Sequence, residues 1–359
     1  MSNPPWPPTV LVIASSPMAA YRRLRAWRRA LGPAARIVAL LRTRLGLRQL
    51  GDIWLYPLPH GPQTSLLQEI EAFDADAIDI GGWTDRAARG ALFAHLRGSP
   101  LIVDRVQPVA PLASRRYDPA TLVSIVLPVY NGADYLDAAI ATTVAQTHRA
   151  FELLVIDDGS KDASREIAAR WAARDARVQA HANPRNSRVP TTLNRGFARA
   201  RGSLLTWTSH DNLFQPTAIE AMVRLFSTYP EVDFVYGDYR VIDEHGRFVR
   251  LRRVPTPDTL GERNGIGPYF MYRRGVYERV GGFRPGLDFV DDYDYWLRVQ
   301  RSGAVMRNLH LPLYDYREHR AAATSEIKRN RALQAEIDRR IQEVRSATIV
   351  SWWPPEENA

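Results

Sequence analysis

The chain has 359 residues, of which 45% are hydrophobic, and a formal net charge of +9 that is carried almost entirely by arginine. This length favours two domains or one large domain, and the apolar content is sufficient to bury a sizeable core. Cysteine is absent, which excludes a disulfide framework and thiolate metal sites and fits a reducing, cytoplasmic location. The first apolar run is too short for a signal peptide and no run reaches membrane-span length, so the sequence excludes those classes of segment.

The excess of arginine favours anionic partners such as nucleotide diphosphates, acidic glycans or the inner face of an anionic membrane. The arginines are spread along the chain and are not interleaved with aromatic residues, so we expect no nucleic-acid partner. Five arginines fall on one predicted helix, residues 19–31, which leaves peripheral membrane contact open beside the simpler interpretation of a solvated face.

Residues 1–106 alternate short apolar runs with amphipathic segments. The runs "TVLVIAS", "ARIVALL", "DIWLYPL", "DAIDIGG" and "PLIVDRV" are strand-like, and "MAAYRRLRAWRRALG", "SLLQEIEAF" and "RAARGALFAHLRG" are helix-like. This alternation predicts a small, mostly parallel α/β sheet with Rossmann-like connectivity. It contains neither a G-x-G-x-x-G fingerprint nor a P-loop, so we assign it no cofactor. The role of this domain stays open, and a homodimer interface is one of the alternatives.

A proline-rich polar stretch, residues 107–121, predicts a linker, and a second α/β unit follows at residues 122–323. Three strand–helix pairs lead to a fourth strand, "SLLTWT". A hairpin-like segment follows, with "DFVYGDYRVID", a turn at "EHG" and then "RFVRLRR", so the parallel sheet must become mixed. Residues 324–346 predict a long charged helix, and residues 324–359 form a C-terminal helix and tail.

Two carboxylates end an apolar run in "VIDDGS". Ligands of open parallel sheets bind outside the carboxyl ends of the strands. We therefore interpret Asp157 as a ligand contact, whereas Asp158 is equally well explained as a turn residue.

The stretch "WTSHDN" lies between a strand and a predicted helix and holds a single carboxylate. Alone it fits either a ligand site or a polar turn. Another cluster, "DFVDDYDYW", precedes the helical pattern "DYWLRVQRSG". Acidic residues are common in a first helical turn, and that interpretation covers most of this cluster.

The segment "VSIVLPVYNGADYLDAAIATTVAQTHRAFELLVIDDGSKD" resembles the nucleotide-binding start of family 2 glycosyltransferases, which have the GT-A fold. The resemblance continues through "NPRNSRVPTTLNRGFARARGSLLTWTSHDN" and "YFMYRRGVYERVGGFRPGLDFVDDYDYWLRVQRSG" and covers roughly residues 122–320. It implies a GT-A-like mixed sheet behind the smaller N-terminal α/β domain.

The resemblance also implies roles for single residues. It places Pro128, Val129, Tyr130 and Asp157 at the nucleobase, and Asn183, Arg188 and Asn194 near the ribose or diphosphate. Asp158 is assigned to the nucleotide-binding site without a specific contact, beside its alternative as a turn residue. A guanidinium suits a phosphate, although a solvated loop arginine is the alternative for Arg188.

In the family's Asp-x-Asp motif, Ser209 takes the first position, near the ribose, and Asp211 the second, which ligates Mg²⁺ or Mn²⁺. One protein carboxylate suffices where phosphate oxygens and water complete the octahedron. His210, between them, is interpreted as a bystander. The later segment "LYDYREHRAAATS" resembles the family's segment after the base, which makes Arg317 a candidate phosphate contact and His319 a candidate second metal ligand. A polar surface histidine is the alternative for His319.

The family's general base corresponds to Asp292, with Asp291 beside it in place of a glutamate, which leaves open which of the two removes the proton. Neighbouring carboxylates raise proton affinity and so suit a base. Asp294 is interpreted as structural, and Trp296 as a core residue or an acceptor platform.

The resemblance therefore implies a metal-dependent inverting, hexosyltransferase-like enzyme that uses a nucleotide-diphosphate sugar, most simply a UDP-sugar. Its acceptor would be a glycan or a lipid-linked hydroxyl in bacterial envelope or exopolysaccharide synthesis. Ser209 favours a second hypothesis, a catalytically silent nucleotide-sugar or glycan-binding subunit. A sugar-phosphate nucleotidyltransferase is disfavoured by the scarcity of lysine, and a dehydrogenase by the missing glycine fingerprint.

Overall fold

The structure, a computed structural model, describes residues 117–320 and 329–353, three residues between them (322, 325 and 327), and six short strands before residue 104. The chain divides into two compact units, Met1–Arg115 and Arg116–Ala359. The helices predicted before residue 107, including the arginine-rich one, and most of the linker lie outside the described residues. The predicted domain limits stay predictions.

The N-terminal unit contains a six-stranded sheet of order β3-β4-β2-β1-β5-β6. Its strands are β1 (Thr9–Ala14), β2 (Arg36–Leu41), β3 (Arg48–Leu50), β4 (Ile53–Pro57), β5 (Ala77–Gly82) and β6 (Leu101–Val103). The β3–β4 pair is antiparallel and the other neighbouring pairs are parallel. The prediction of a small, mostly parallel sheet is confirmed.

The first half of the C-terminal unit is Rossmann-like. Its elements are β7 (Val123–Val129), α1 (Ala133–Val144), β8 (Phe151–Asp157), α2 (Ser164–Arg174), β9 (Val178–Ala182), α3 (Arg188–Phe197) and β10 (Leu204–Trp207). The parallel strands lie in the order β10-β7-β8-β9. All of β8 and nearly all of β7 are buried, as their continuous apolar runs predict for a sheet covered on both faces. The carboxyl ends of these strands form one edge.

The second half makes the sheet mixed. It adds β11 (Leu213–Phe214), α4 (Ala218–Thr228), β12 (Phe234–Gly237), β13 (Tyr239–Ile242), β14 (Phe248–Arg252), a short 3-10 helix (Pro257–Gly261), β15 (Phe270–Arg273), α5 (Arg274–Val280), α6 (Asp291–Arg301), β16 (Met306–Leu309), β17 (Tyr314–Arg317) and α7 (Arg331–Ser346). Strand β15 runs antiparallel to β10 and β12 and completes a seven-stranded sheet, β16-β12-β15-β10-β7-β8-β9. The predicted mixed α/β fold is confirmed.

The expected first strand of the hairpin is wrong as a single element, because it divides at Asp238. Strand β12 belongs to the large sheet, and β13 belongs to a four-stranded sheet of order β11-β17-β13-β14. The Asp238 carboxylate is fully buried, where it accepts from Val254 N at 2.9 Å and lies 3.1 Å from His310 Nδ1. These contacts anchor the chain between the sheets.

A large hydrophobic cluster joins the seven-stranded sheet to α6. Trp296 is 1% exposed and packs edge-on against Phe234 and Phe270, which makes it a core residue. The predicted long C-terminal helix is interrupted, since α7 begins after Asn330, whose side chain accepts from Leu333 N at 3.2 Å as an N-cap. Among the helices that the structure describes, none combines the length and apolar character that a membrane span needs.

Candidate active site

The carboxyl ends of β7 and β8 bring the first group of predicted residues together. Val129 is buried and its carbonyl accepts from Asp158 N at 2.8 Å, while Tyr130 next to it is 41% exposed. Pro128 lies in β7 beside them. A flat aromatic surface is therefore presented at the edge where ligands of parallel sheets bind.

Asp157 is more enclosed than the sequence suggests. Its side chain is 1% exposed, and its Oδ2 accepts from Nε and Nη2 of Arg165, both at 3.3 Å. Its Oδ1 accepts from Ser160 N at 3.3 Å. Arg165, on the first turn of α2, was missed because nothing in its local sequence separates it from other exposed helix arginines. A nucleobase that contacts Asp157 must displace or share this guanidinium.

Asp158 and Asn183 build the adjoining loop. Asp158 Oδ1 accepts from Asn183 Nδ2 at 2.7 Å and from Ser187 N at 2.9 Å. Gly159, at φ 76°, leaves no room for a side chain, because a Cβ would lie 2.9 Å from the carbonyl carbon of Arg185. The observed contacts of Asp158 are those of the turn-residue alternative, and direct contact of Asp158 and Asn183 with a nucleotide stays a prediction.

Arg188 and Asn194 differ sharply although both lie on α3. Arg188 begins the helix at φ 68° with an exposed side chain, free of ion pairs within the described part of the chain. Asn194 is 3% exposed, and its amide donates to Phe283 O at 2.7 Å and accepts from Phe283 N at 2.8 Å. Arg188 is thus available to a phosphate, whereas Asn194 ties α3 to the segment that leads to α6.

The loop after β10 places Asp211 against His319. Asp211 Oδ2 lies 3.0 Å from His319 Nε2, and the two side chains are 14% and 8% exposed. Asp211 Oδ1 is buried and has no hydrogen-bond partner in the described structure. Burial raises the pKa of Asp211, but the hydrogen bond from His319 and the charges of His210 and His319 outweigh it, so the net pKa is lowered. Asp211 is therefore a charged carboxylate with one open oxygen.

The neighbours of Asp211 play different parts. His210 packs so closely on α1 that a Cβ at Gly132 would lie 2.4 Å from its Cδ2, and burial lowers its pKa, which favours the neutral ring. Ser209 is partly buried, and its carbonyl accepts from Asn212 N at 3.4 Å. These contacts agree with the interpretation of His210 as a packing residue.

Arg317 is 6% exposed and binds backbone carbonyls on two sides. Its Nε donates to Asp211 O at 2.9 Å, and its Nη1 donates to Asp243 O and Glu244 O at 3.2 and 3.1 Å. Its guanidinium carbon lies 4.8 Å from the centroid of the Tyr135 ring. Arg317 therefore holds the Asp211 loop to the β13–β14 turn. Its role as a phosphate contact stays a prediction, carried by Nη2 alone.

The donor set at Asp211 fits a divalent cation that a substrate helps to hold. Within the residues described, no group of three or more His, Cys, Asp or Glu side chains could hold a metal ion. The open Oδ1 of Asp211 and the imidazole of His319 nevertheless offer two donors, and Mg²⁺ or Mn²⁺ takes its remaining ligands from phosphates and water.

The acidic cluster lies at the start of α6. Asp291 is 7% exposed, and burial followed by the charge of Asp292 raises its pKa well above the ordinary value. Burial also raises the pKa of Asp292, although hydrogen bonds from Tyr293 N at 2.6 Å and Asn264 Nδ2 at 3.2 Å oppose the rise. The pair therefore has the elevated proton affinity that a general base needs.

Asp294 belongs to the framework, as expected. It is 1% exposed and forms ion pairs with Arg284 and, at 3.0 Å, with Arg298. Arg298 also donates to Val280 O and Gly282 O, both at 2.7 Å. This network fixes α6 to the segment that precedes it. Asn264 was not predicted to lie here, and the only local signal was its place in the glycine-rich "GERNGIGP".

Comparisons with known proteins give one family. Residues 124–290 match the family model described as glycosyl transferase family 2. An uncharacterized glycosyltransferase of Rickettsia conorii is 31% identical over 199 residues, 52% of this chain and 32% of the relative. The O-antigen biosynthesis protein RfbC of Myxococcus xanthus is 27% identical over 234 residues, 63% of this chain and 18% of the relative.

Among solved structures, the mannosyltransferase PcManGT from Pyrobaculum calidifontis in complex with GDP-Man and Mn²⁺ matches with a TM-score of 0.48 and 17% identity, over 65% of this chain and 68% of that chain. The chain spans about a third of the length of the Rickettsia conorii relative.

Proposed function

We propose that the domain at residues 124–290, which belongs to glycosyl transferase family 2, works with α6 and β17 as an inverting glycosyltransferase. The donor is a nucleoside-diphosphate sugar and the acceptor a hydroxyl group. The observation that carries the proposal is the Asp211–His319 pair, in which one carboxylate oxygen is paired at 3.0 Å and the other is buried without a partner. A buried, unpaired carboxylate oxygen is costly unless a cation completes it.

At the donor side, Asp211 and His319 would hold a divalent ion. Such an ion, when bound, neutralises the charge that develops on the leaving diphosphate. Arg188 is exposed beside the same sheet edge and is placed to add a fixed positive charge. Tyr130 offers its exposed ring to the nucleobase.

At the acceptor side, the Asp291–Asp292 pair would take the proton of the attacking hydroxyl. The acceptor oxygen bonds to the anomeric carbon, the bond from that carbon to the diphosphate oxygen breaks, and the nucleoside diphosphate departs with the bonding electrons. Asp292 is the group proposed to receive the proton, since it is the less buried of the two. In-line attack of this kind inverts the anomeric configuration.

The wider setting is proposed on the relatives. RfbC is an O-antigen biosynthesis protein, which supports a role in bacterial envelope or exopolysaccharide synthesis with a glycan or lipid-linked acceptor. We propose a UDP-sugar as the donor. Activity at the cytoplasmic side of a membrane would suit a lipid-linked acceptor.

The test is nucleotide-sugar turnover by the full chain. UDP-N-acetylglucosamine, UDP-glucose and GDP-mannose are incubated with Mn²⁺, with Mg²⁺ or with a chelator, and the released nucleoside diphosphate is measured. Turnover should need the metal and fall about a hundredfold in Asp211→Asn. Asp137→Asn is the matched control and should behave as wild type, because Asp137 is an exposed α1 carboxylate that accepts from Trp171 Nε1 and forms an ion pair with Arg170.

The second hypothesis is a catalytically silent binding subunit, and Ser209 in the first motif position is the observation that favours it. Nucleotide-sugar binding without turnover on any donor would support it. Turnover that survives the chelator at full rate would contradict the metal-dependent mechanism.

A further inference from the structure

The Asp292 carboxylate has two neighbours that take different oxygens. Its Oδ1 accepts from the backbone N–H of Tyr293 at 2.6 Å, and its Oδ2 accepts from Asn264 Nδ2 at 3.2 Å. The first contact lies within the helix that carries Asp292. The second comes from a loop 28 residues earlier in the chain, so it depends on the tertiary structure.

Asn264 is exposed, yet its loop is held on both sides. Before it, Leu260 is 1% exposed, and its carbonyl accepts from Tyr293 OH at 2.8 Å. After it, Ile266 is 1% exposed, and Gly267 at φ 73° packs so closely that a Cβ would lie 2.7 Å from Tyr239 Cε1. The loop is thus held to α6 on one side of Asn264 and to β13 on the other, and the Asn264 side chain contacts the Asp292 carboxylate.

The amide of Asn264 has a second function to offer. Its Nδ2 is used by Asp292, and its Oδ1 accepts no hydrogen bond from any residue that the structure describes. An amide oxygen accepts up to two hydrogen bonds, so an exposed acceptor stands beside the carboxylate. Two neighbouring oxygen acceptors match two neighbouring hydroxyl groups on a saccharide.

We propose that Asn264 positions both the base and the acceptor: its amide N–H orients Asp292 Oδ2, and its amide oxygen accepts the hydroxyl adjacent to the one that attacks. The acceptor is accordingly a saccharide with a vicinal diol, and not a simple alcohol. This inference rests on the proposed glycosyltransferase function.

The step balances with the groups named. The attacking hydroxyl gives its proton to Asp292 as its oxygen bonds to the anomeric carbon, and the diphosphate leaves with the electrons of the broken bond. The neighbouring hydroxyl keeps its proton and only donates a hydrogen bond to Asn264. Fixing two hydroxyls restricts the rotation of the acceptor, which is how positioning raises a rate.

The experiment compares Asn264→Ala and Asn264→Gln with Glu262→Gln in the full chain. Glu262 is an exposed residue of the same loop and serves as the matched control. Hydrolysis of UDP-N-acetylglucosamine and GDP-mannose with Mn²⁺ is followed across pH, as is transfer to methyl glycosides and to their analogues that lack one hydroxyl.

Asn264→Ala should lower kcat about tenfold and leave the donor KM and the melting temperature unchanged, because one hydrogen bond to a charged group is lost. The acid limb of the pH profile should move to higher pH, since the lost donor had favoured the ionised base. The wild type should discriminate against the acceptor without the adjacent hydroxyl, Asn264→Ala should not, and Asn264→Gln should recover part of the rate.

An unchanged kcat and acid limb in Asn264→Ala would overturn the inference. The inference would also be overturned if Asn264→Ala lowered the melting temperature and donor binding together with the rate, because that pattern indicates a merely structural contact. A wild type that turns over no donor would instead contradict the proposed function, and this inference would fall with it.

Discussion

The two carboxylate sites of the C-terminal unit have opposite electrostatics although burial acts on both in the same direction. At Asp211 the burial that would raise the pKa is overcome by His319 and His210, and the pKa is lowered. At Asp291 the charges of Asp292, Asp288 and Asp294 add to burial, and the pKa is raised. Asp211 is therefore suited to bind a cation as a carboxylate, whereas Asp291 has a raised affinity for a proton.

At the cation site the difference depends on a partner that is remote in sequence. His319 lies 108 residues after Asp211, whereas Asp288, Asp292 and Asp294 lie within three residues of Asp291. Burial alone would raise the pKa at both sites, so the two histidines, His319 and His210, are what distinguishes the cation site.

The largest effect is expected for Asp292→Asn. Removing the proton acceptor should lower kcat by roughly a thousandfold, within the range found for general bases, and leave nucleotide binding intact. The check is single-turnover kinetics together with equilibrium binding of UDP or GDP in the presence of Mn²⁺.

Asp291→Asn is the matched comparison for that experiment. If it lowers kcat more than Asp292→Asn does, Asp291 is the base and the assignment within the pair reverses. Two equally inactive variants that still bind nucleotide would indicate that the pair acts as one unit.

An intermediate effect is expected for Arg317→Lys. Lysine keeps the charge but cannot join Asp211 O to the carbonyls of Asp243 and Glu244 at once. The affinity for Mn²⁺ in the presence of nucleotide should fall about tenfold, with a loss of about 2 kcal/mol in the free energy of unfolding.

Arg247→Lys, in the same turn, is the control for that variant, since Arg247 is 75% exposed and should tolerate the change. The measurements are metal titration by calorimetry and thermal unfolding. An unchanged metal affinity with reduced donor binding would instead return Arg317 to its predicted phosphate contact.

The elements follow from local sequence, whereas the partners do not. Continuous apolar runs predict β7 and β8 because both faces of that sheet are covered. The division of the chain at Asp238 escapes such reasoning, because its cause is a buried contact with His310, 72 residues away.

The same limit applies to the site. The loops that carry Asp157 and Asp211 are visible as polar ends of apolar runs. The ion pair of Arg165 with Asp157 and the hydrogen bond of Asn194 to Phe283 depend on packing between different segments. No local pattern therefore distinguishes Arg165 from other surface arginines, or Asn194 from other buried amides.

The smallest effect is on stability and comes from Asp291→Asn. A carboxyl with a raised pKa in the folded state costs stability at every pH above that pKa, because the folded protein must hold a charge that the unfolded chain holds more easily. The variant should therefore be more stable than wild type at neutral pH, by about 1 kcal/mol, after the favourable effect of a carboxylate on the helix N-terminus is subtracted.

For Asp291, the effect of acid on stability is opposite to that for a carboxyl group whose pKa is lowered by folding. As pH falls through the raised pKa of Asp291 toward the ordinary value of about 4, the wild type regains this stability and the two proteins should converge. Asp211→Asn should behave in the opposite way, because a lowered pKa contributes stability that is present above the ordinary value and lost in acid. Thermal unfolding of both variants from pH 2 to pH 8 would measure the contrast directly, because the change at Asp211 falls below its ordinary pKa of about 4 and the change at Asp291 falls above it. Parallel curves for the two would mean that His319 does not distinguish the cation site from the proton site.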